Sequence, residues 1–322
     1  MPILEPKPLK APFYYFGNAH LQTIVPSLFR KVKGVNYQRE RIETKDGDFL
    51  DLDWSFASQS KKLVIVSHGL EGSADRHYVK GVIKAGNQIG WDGLGWNCRS
   101  CSGELNRLPR FYHHGDTADL DFVVEHALRK YQYETIVLVG FSLGGSFTLK
   151  YFGEKGKNIA PQIKKGVAFS VPCDLAACSD ELSKPDKMFY TRRFLKKLDK
   201  KIREKEKIMP DKISAKYLDS IRIFRQFDDI YSSQLHGFLD ANDYYKRASS
   251  LFYLESIARP VLLVNTLNDP FLTPSCYPKS LAEKHEFLHL EMPAAGGHVG
   301  FERTGMPETY AEMRVKEWVE DL

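Results

Sequence analysis

The 322-residue chain has no apolar run approaching the length of a bilayer span. Its first residues, Met1-Pro2-Ile3-Leu4-Glu5-Pro6-Lys7-Pro8, carry prolines and charge where a signal peptide needs a continuous apolar stretch, so a cytoplasmic location is expected. An excess of one charge is also lacking. The 46 Lys and Arg against 41 Asp and Glu leave a formal +5, too mild to argue for nucleic acid or membrane, and no aromatic-and-glycine nucleic-acid motif accompanies it. Cysteine is sparse. Five are too few for a disulfide scaffold and their odd number leaves one unpaired in a monomer, so reduced thiols are the default. Cys98 and Cys101 form a C-x-x-C, and Cys173 and Cys178 a looser pair. The second has poor zinc spacing and no thioredoxin-like helix start follows the first, and His113-His114 with Asp116 reads as a polar loop leading into a helix. Neither a metal nor a cofactor is expected.

What the chain does have is 43% apolar residues, enough for a substantial core in one large domain or a core with an insertion. The runs Leu63-Val64-Ile65-Val66, Ile136 to Val139, Val167-Ala168-Phe169 and Val261 to Val264 are short, β-branched and do not alternate, as strands covered on both faces are. Helical segments lie between them, so a mostly parallel α/β sheet with flanking helices is expected. Gly90 to Asn97 is a weaker strand because of its glycines. Earlier, Tyr37 to Phe56 reads as a hairpin turning at Asp46-Gly47, with one face of the ribbon buried. The segment up to about Lys33, rich in proline and aromatics, is expected to lie over the body of the protein and carries no readable chemistry. Asp116 or Thr117 can cap a helix whose apolar stripe is Leu120, Val123, Val124, Ala127, Leu128 and Tyr131.

Residues 178–255 interrupt this alternation with a charged, mostly helical stretch. They are expected to be a helical cap inserted into a core formed by 1–177 and 256–322. Within the cap, Leu195, Leu198 and Ile202 keep an apolar side, whereas Lys196, Lys197, Lys200, Lys201, Arg203, Lys205 and Lys207 make a basic surface. Such a surface suits anionic lipid, so peripheral membrane contact stays open; the interleaved Asp199, Glu204 and Glu206 favour a solvated helix face.

Chemistry enters at Gly140-Phe141-Ser142-Leu143-Gly144, directly after the run Ile136 to Val139. A serine where a buried strand turns sharply into a helix is a nucleophile elbow, and the crowded turn leaves room only for hydrogens two residues before and after it. Leu143, Phe147 and Tyr151 then recur at helical spacing. A serine hydroxyl needs a base, and the base an orienting acid, in the chain order serine, acid, histidine. Asp269, after the strand Val261 to Val264, and His298, after Leu288-His289-Leu290, fall in that order on loops at strand ends. Asp174, after Val171-Pro172-Cys173, is the rival acid. The oxyanion of the intermediate needs N–H donors. Leu143 offers one; Leu70, in Ser67-His68-Gly69-Leu70-Glu71-Gly72, offers the other, with His68 supporting the loop.

His68 to Ser73, Cys101 to His113, Gly140 to Gly145, Phe227-Asp228-Asp229, Tyr244 to Ser250, Asn268 to Phe271 and Gly296 to Phe301 together resemble the YheT-like family of α/β-hydrolases over nearly the whole chain. The resemblance implies an α/β-hydrolase fold with a helical cap and the set Ser142, Asp269 and His298. It also implies carboxylesterase-like hydrolysis of short-chain or lipid acyl esters without a cofactor, the partner being a small-molecule ester. Two positions depart from the family pattern: Ser100 replaces a glycine, and Asn268 an aspartate often found beside the acid. Arg107, Arg110, Tyr112 and His113 are typical of the family but receive no role from sequence. Thioesters and amides use the same machinery. The competing class is a non-enzymatic scaffold of the same fold; such scaffolds often lose a triad residue, and here none is missing.

Overall fold

In the computed structural model, which describes residues 3–58 and 60–322, the apolar runs are strands of one sheet. The first half of the chain contains β1 (Ile3–Leu4), α1 (Ala19–Phe29), β2 (Gln38–Glu43), β3 (Phe49–Ser55), β4 (Lys62–Ser67), α2 (His77–Gln88), β5 (Asp92–Asn97), α3 (Thr117–Tyr131), β6 (Thr135–Phe141), α4 (Leu143–Lys155) and β7 (Ile163–Phe169). Then come α5 (Leu175–Leu182), α6 (Met188–Ile208), α7 (Phe224–Phe227), α8 (Ser233–His236) and α9 (Ala241–Ala248). The chain returns to the sheet through β8 (Val261–Val264), α10 (Lys279–Ala282) and β9 (Leu288–Glu291), and closes with α11 (Tyr310–Trp318).

The strand order is β1-β9-β8-β7-β6-β4-β5-β3-β2, parallel except where β3 meets β2 and β5. Helices cover both faces. One core holds α2 and α11 against Val64, Val66, Val137 and Val139; the other holds α3 and α4 against Leu63, Ile65, Ile136 and Leu138. These eight strand residues are at most 2% exposed, and a fully buried aliphatic side chain contributes roughly 1.5–3 kcal/mol. Among the described residues, no helix is long and apolar enough to cross a membrane.

Several local expectations change. The glycines that weaken the reading of β5 are its packing device: a Cβ on Gly93 would stand 2.5 Å from Ile83 of α2, and one on Gly95 2.9 Å from Ala74. The hairpin forms, but β3 is buried along its whole length, on both faces, with β2 paired along its outer edge. Its polar face is neutralised, Asp51 by Arg41 and Asp53 by Arg39, each pair bound bidentately at 2.8 Å. Asp116 precedes α3 but makes no capping bond, since its carboxylate is bound by Arg110 at 2.8 Å. Cys178 lies 3.4 Å from Cys276 rather than beside Cys173, and all five cysteines are free thiols.

The helical stretch between β7 and β8 is rooted in the core at both ends. Helix α5 starts at Leu175, and the 3₁₀ segment Ser250–Ser256 packs so closely on α4 that a Cβ at Gly153 would stand 2.2 Å from the Tyr253 carbonyl oxygen. Lysines of the basic α6 surface turn inward, Lys205 and Lys201 among them. Lys205 is 0% exposed and donates to the Leu108 carbonyl; Lys201 pairs with Glu71 at 2.7 Å.

Candidate active site

The elbow is built by close approach of backbone. A Cβ on Gly140 would stand 2.1 Å from the Gly144 carbonyl oxygen, and one on Gly144 2.2 Å from that of Ser67. Between them Ser142 is held at φ 54°, ψ −117°, a backbone region that side chains other than glycine's rarely adopt. Its N–H donates to the Phe169 carbonyl on β7 at 2.8 Å, and α4 starts at the next residue. Sheet and helix together aim one hydroxyl.

That hydroxyl donates to His298 Nε2 at 2.9 Å. On the other side of the ring, Nδ1–H donates to Asp269 at 2.8 Å (Oδ2) and 3.1 Å (Oδ1), which fixes the tautomer that leaves Nε2 free to accept. Asp269 also accepts the Phe271 N–H at 2.9 Å, and the Phe271 ring stacks on the imidazole with centroids 4.0 Å apart. The rival Asp174 lies elsewhere: it caps α5, accepting from the Ala177 N–H at 3.1 Å.

The loop after β4 is pinned at most of its N–H groups. Gly69 N–H donates to Tyr78 Oη at 3.1 Å, Glu71 N–H to Tyr112 Oη at 2.8 Å, and Gly72 N–H to the Gly69 carbonyl at 2.9 Å. Leu70 N–H has no such partner among the described residues, and Leu70 lines the same cavities as Ser142. His68 is fully buried, donating from Nδ1 to the Gly69 carbonyl at 2.7 Å and accepting the Cys98 N–H on Nε2 at 3.1 Å. Burial drives its pKa down to about 4, so it ties β4 to β5 as a neutral ring. Tyr112 supplies the bracing that sequence did not assign: besides accepting from Glu71 N–H, it donates to the Glu71 carboxylate at 2.8 Å.

The chain is similar to known proteins over nearly its whole length. No protein-family model matches the chain. It is 35% identical over 317 residues to "Putative esterase YheT" of Escherichia coli (strain K12), across 96% of this chain and 92% of that protein. The chain belongs to the YheT-like α/β-hydrolases. It is also 28% identical over 312 residues to phospholipase ABHD3 of Bos taurus, across 94% of this chain and 75% of that protein. Esterase Pf2001 of Pyrococcus furiosus has the same fold, with a TM-score of 0.60 at 20% identity over 90% of this chain and 96% of that one.

Ser100 and Asn268, where the family resemblance leads one to expect glycine and aspartate, have local reasons in this YheT-like chain. Ser100 sits at φ 62°, a conformation that favours glycine, and its hydroxyl offsets the strain by bonding the Asn106 side chain at 2.6 Å and backbone N–H at 3.0 Å. Asn268 accepts the Gly297 N–H at 3.0 Å while donating to Gln22 Oε1 at 3.1 Å. An aspartate could accept but not donate. Gln22 in turn accepts the Gly296 N–H at 2.7 Å, and Thr23 accepts the His298 N–H at 2.9 Å. Thus α1, in a segment that reads as chemically silent, braces the histidine loop. Nothing in the local pattern of Gln22-Thr23 signals this.

Ser142 opens on a cavity of about 1060 Å³, walled mainly by apolar side chains including Leu175, Phe194, Leu198, Phe224 and Phe271. Polar groups enter its lining from the helical stretch. Burial pushes the Asp228 carboxyl up to about 6 while Ser232 and Tyr245 donate to it at 2.5 and 2.8 Å. His236 bonds the Ser232 carbonyl through Nδ1 at 2.8 Å and leaves Nε2 buried without a partner among the described residues. His114 meets Tyr244 Oη at 3.1 Å. Among the described residues, no group of three or more His, Cys, Asp or Glu converges as a metal site.

Proposed function

We propose that the chain is a serine hydrolase that cleaves carboxylic esters by two-step acyl transfer, acting in the cytoplasm on short-chain or lipid-like acyl esters. The observation that carries this reading is the hydrogen-bonded series Ser142–His298–Asp269 facing an apolar cavity. Ser142 Oγ attacks the ester carbonyl carbon as its proton passes to His298 Nε2. The resulting oxyanion is received by the N–H groups of Leu70 and Leu143, each such donor being worth about two to three powers of ten in turnover. His298 then gives the proton to the alcohol oxygen, the carbon–oxygen bond breaks, and the acyl group remains on Ser142. Water deprotonated by His298 releases the acid by the same route in reverse. Asp269 holds the tautomer and stabilises the imidazolium. The insertion 178–255 forms the cap, and its apolar side chains receive the acyl chain.

The test is covalent labelling by a fluorophosphonate together with turnover of nitrophenyl esters of increasing chain length. Ser142→Ala is expected to abolish labelling and to lower kcat by about 10⁴-fold or more, with an unchanged thermal midpoint. Full esterase activity in Ser142→Ala would sink the proposal.

A further inference from the structure

Two cavities meet at Ser142, and they differ in what else they touch. The large apolar one is lined by Leu143 but not by His298. The second, of about 690 Å³, is lined by Ser142 and His298 together with Arg76, Arg193 and Lys197, and by no carboxylate among the described residues. If Ser142 and His298 react as proposed above, on which this inference rests, the proton that His298 accepts must go to the departing alcohol oxygen. The alcohol half of the ester therefore lies on the His298 side, in the cationic cavity, and the acyl half on the apolar side.

Among the described residues, none of the three cations is paired with a carboxylate. Nearby acids are committed elsewhere: Asp75 to Lys80 at 2.6 Å, Glu71 to Lys201 at 2.7 Å, and Asp199 to Arg203 at 2.8 Å. Arg76 Nη2 and Lys197 Nζ converge instead on one neutral acceptor, the Glu71 carbonyl, at 3.2 and 3.1 Å. Arg193 and Lys197 stand four residues apart on α6, a like-charge spacing that destabilises a helix. Burial first, and then Arg76, push the Lys197 ammonium below its ordinary range, and the opposing pull of the Glu71 carboxylate, which is paired with Lys201, does not offset them. On the same helix Lys200 faces Glu204 at 3.6 Å, so a solvated face of alternating sign does exist, but away from this cavity.

We propose that Arg76, Arg193 and Lys197 form a binding subsite for an anionic group, best matched by a phosphate, carried on the alcohol half of the ester substrate. Arg76 and Arg193 supply forked N–H donors and Lys197 a point charge, the combination that suits phosphate oxygens. The substrate class is then an acyl ester of a phosphorylated alcohol, its chain and its anion held on opposite sides of Ser142.

The experiment compares 1-hexanoylglycerol with 1-hexanoylglycerol 3-phosphate, both as dissolved monomers without vesicles, so that a membrane surface cannot supply the preference. At low ionic strength kcat/KM is expected to favour the phosphate ester by about tenfold or more, mainly through KM, and the preference to shrink in 1 M NaCl. In Arg193→Gln and in Arg193→Gln/Lys197→Gln the ratio between the two esters should fall by about tenfold. Glycerol 3-phosphate should compete with the phosphate ester in the wild type and lose that ability in the double variant. Equal kcat/KM for the two esters overturns the inference, as does a ratio indifferent to both variants. Competition by inorganic phosphate without a preference between the esters also overturns it, by assigning the site to free phosphate. Each of these leaves the Ser142 reading standing if fluorophosphonate still labels Ser142; loss of that labelling removes both.

Discussion

The strand-borne half of the site and the helical stretch between β7 and β8 solve opposite problems. Around Ser142, positions are set by backbone: glycines allow contacts closer than a Cβ would permit, and Ser142, His298 and Asp269 are hydrogen-bonded to one another. In the helical stretch, positions are set by side chains; among the described residues, His236 Nε2 is buried with no partner, and Asp228 is buried with hydroxyl donors but no cation paired to it. A reacting group must be held to fractions of an ångström, which rigid backbone does well. A binding wall must instead match a ligand, so polar groups there can await a partner that the chain does not supply. Substitutions in the two regions should therefore differ in kind as well as in size.

The largest effect belongs to the backbone-fixed half. Asp269→Asn keeps the volume but loses the carboxylate that holds the His298 tautomer, and kcat for a small nitrophenyl ester should fall by about 10³–10⁴-fold. A loss below tenfold would mean that another group orients the ring. Next comes Gly144→Ala, whose methyl would meet the Ser67 carbonyl oxygen at 2.2 Å and that of His68 at 2.7 Å. Both obstacles are main chain and cannot rotate away, so a destabilisation of about 3 kcal/mol or more is expected, read as a lower denaturant midpoint. A midpoint within experimental scatter of the wild type would show the elbow to be looser than its contacts imply.

The helical stretch should respond to pH. Burial lifts Asp228 from an ordinary 3.8 to about 6, so between those values the folded protein holds a proton that the unfolded chain has released. Its contribution is present below pH 3.8 and is lost as pH rises through 6, at about 1.4 kcal/mol per pH unit. Asp228→Asn carries no such loss. Relative to the wild type, the variant should gain about 2 kcal/mol between pH 4 and pH 8, measured by denaturant titration at both. A constant difference across that range would mean that Asp228 stays ionised and is better solvated than its burial suggests.

The same division governs what the sequence reveals. Strands, the elbow and the order serine, acid, histidine depend on neighbours along the chain, and runs such as Ile136 to Val139 carry them openly. The braces do not. Thr23 and His298 are 275 residues apart, as are few local patterns that could announce a pairing, and Tyr112 reaches Glu71 across 41. The inward lysines had a signal that residue type concealed. Leu198, Lys201, Ile202 and Lys205 follow the i, i+3, i+4, i+7 spacing of one helix face, so position places the lysines inside even though their charge argues for solvent. The β5 glycines are the reverse case, where residue type argued against a strand and packing required it.

Asp174 gives the smallest and most discriminating contrast with Asp269, because both are carboxylates on loops at the ends of neighbouring strands. Asp174 spends its oxygen on the Ala177 N–H and so acts on α5 rather than on His298. Asp174→Ala should lower stability by about 1 kcal/mol, the usual effect of removing an N-cap, and change kcat/KM for a small ester by less than about threefold. Since α5 carries Leu175 and Cys178 into the apolar cavity, a modest shift in preference toward other chain lengths is compatible with that role. A fall in kcat matching that of Asp269→Asn is not, for a helix cap has no route to the tautomer of His298 except through the geometry of the whole loop, and then the thermal midpoint would fall with the rate.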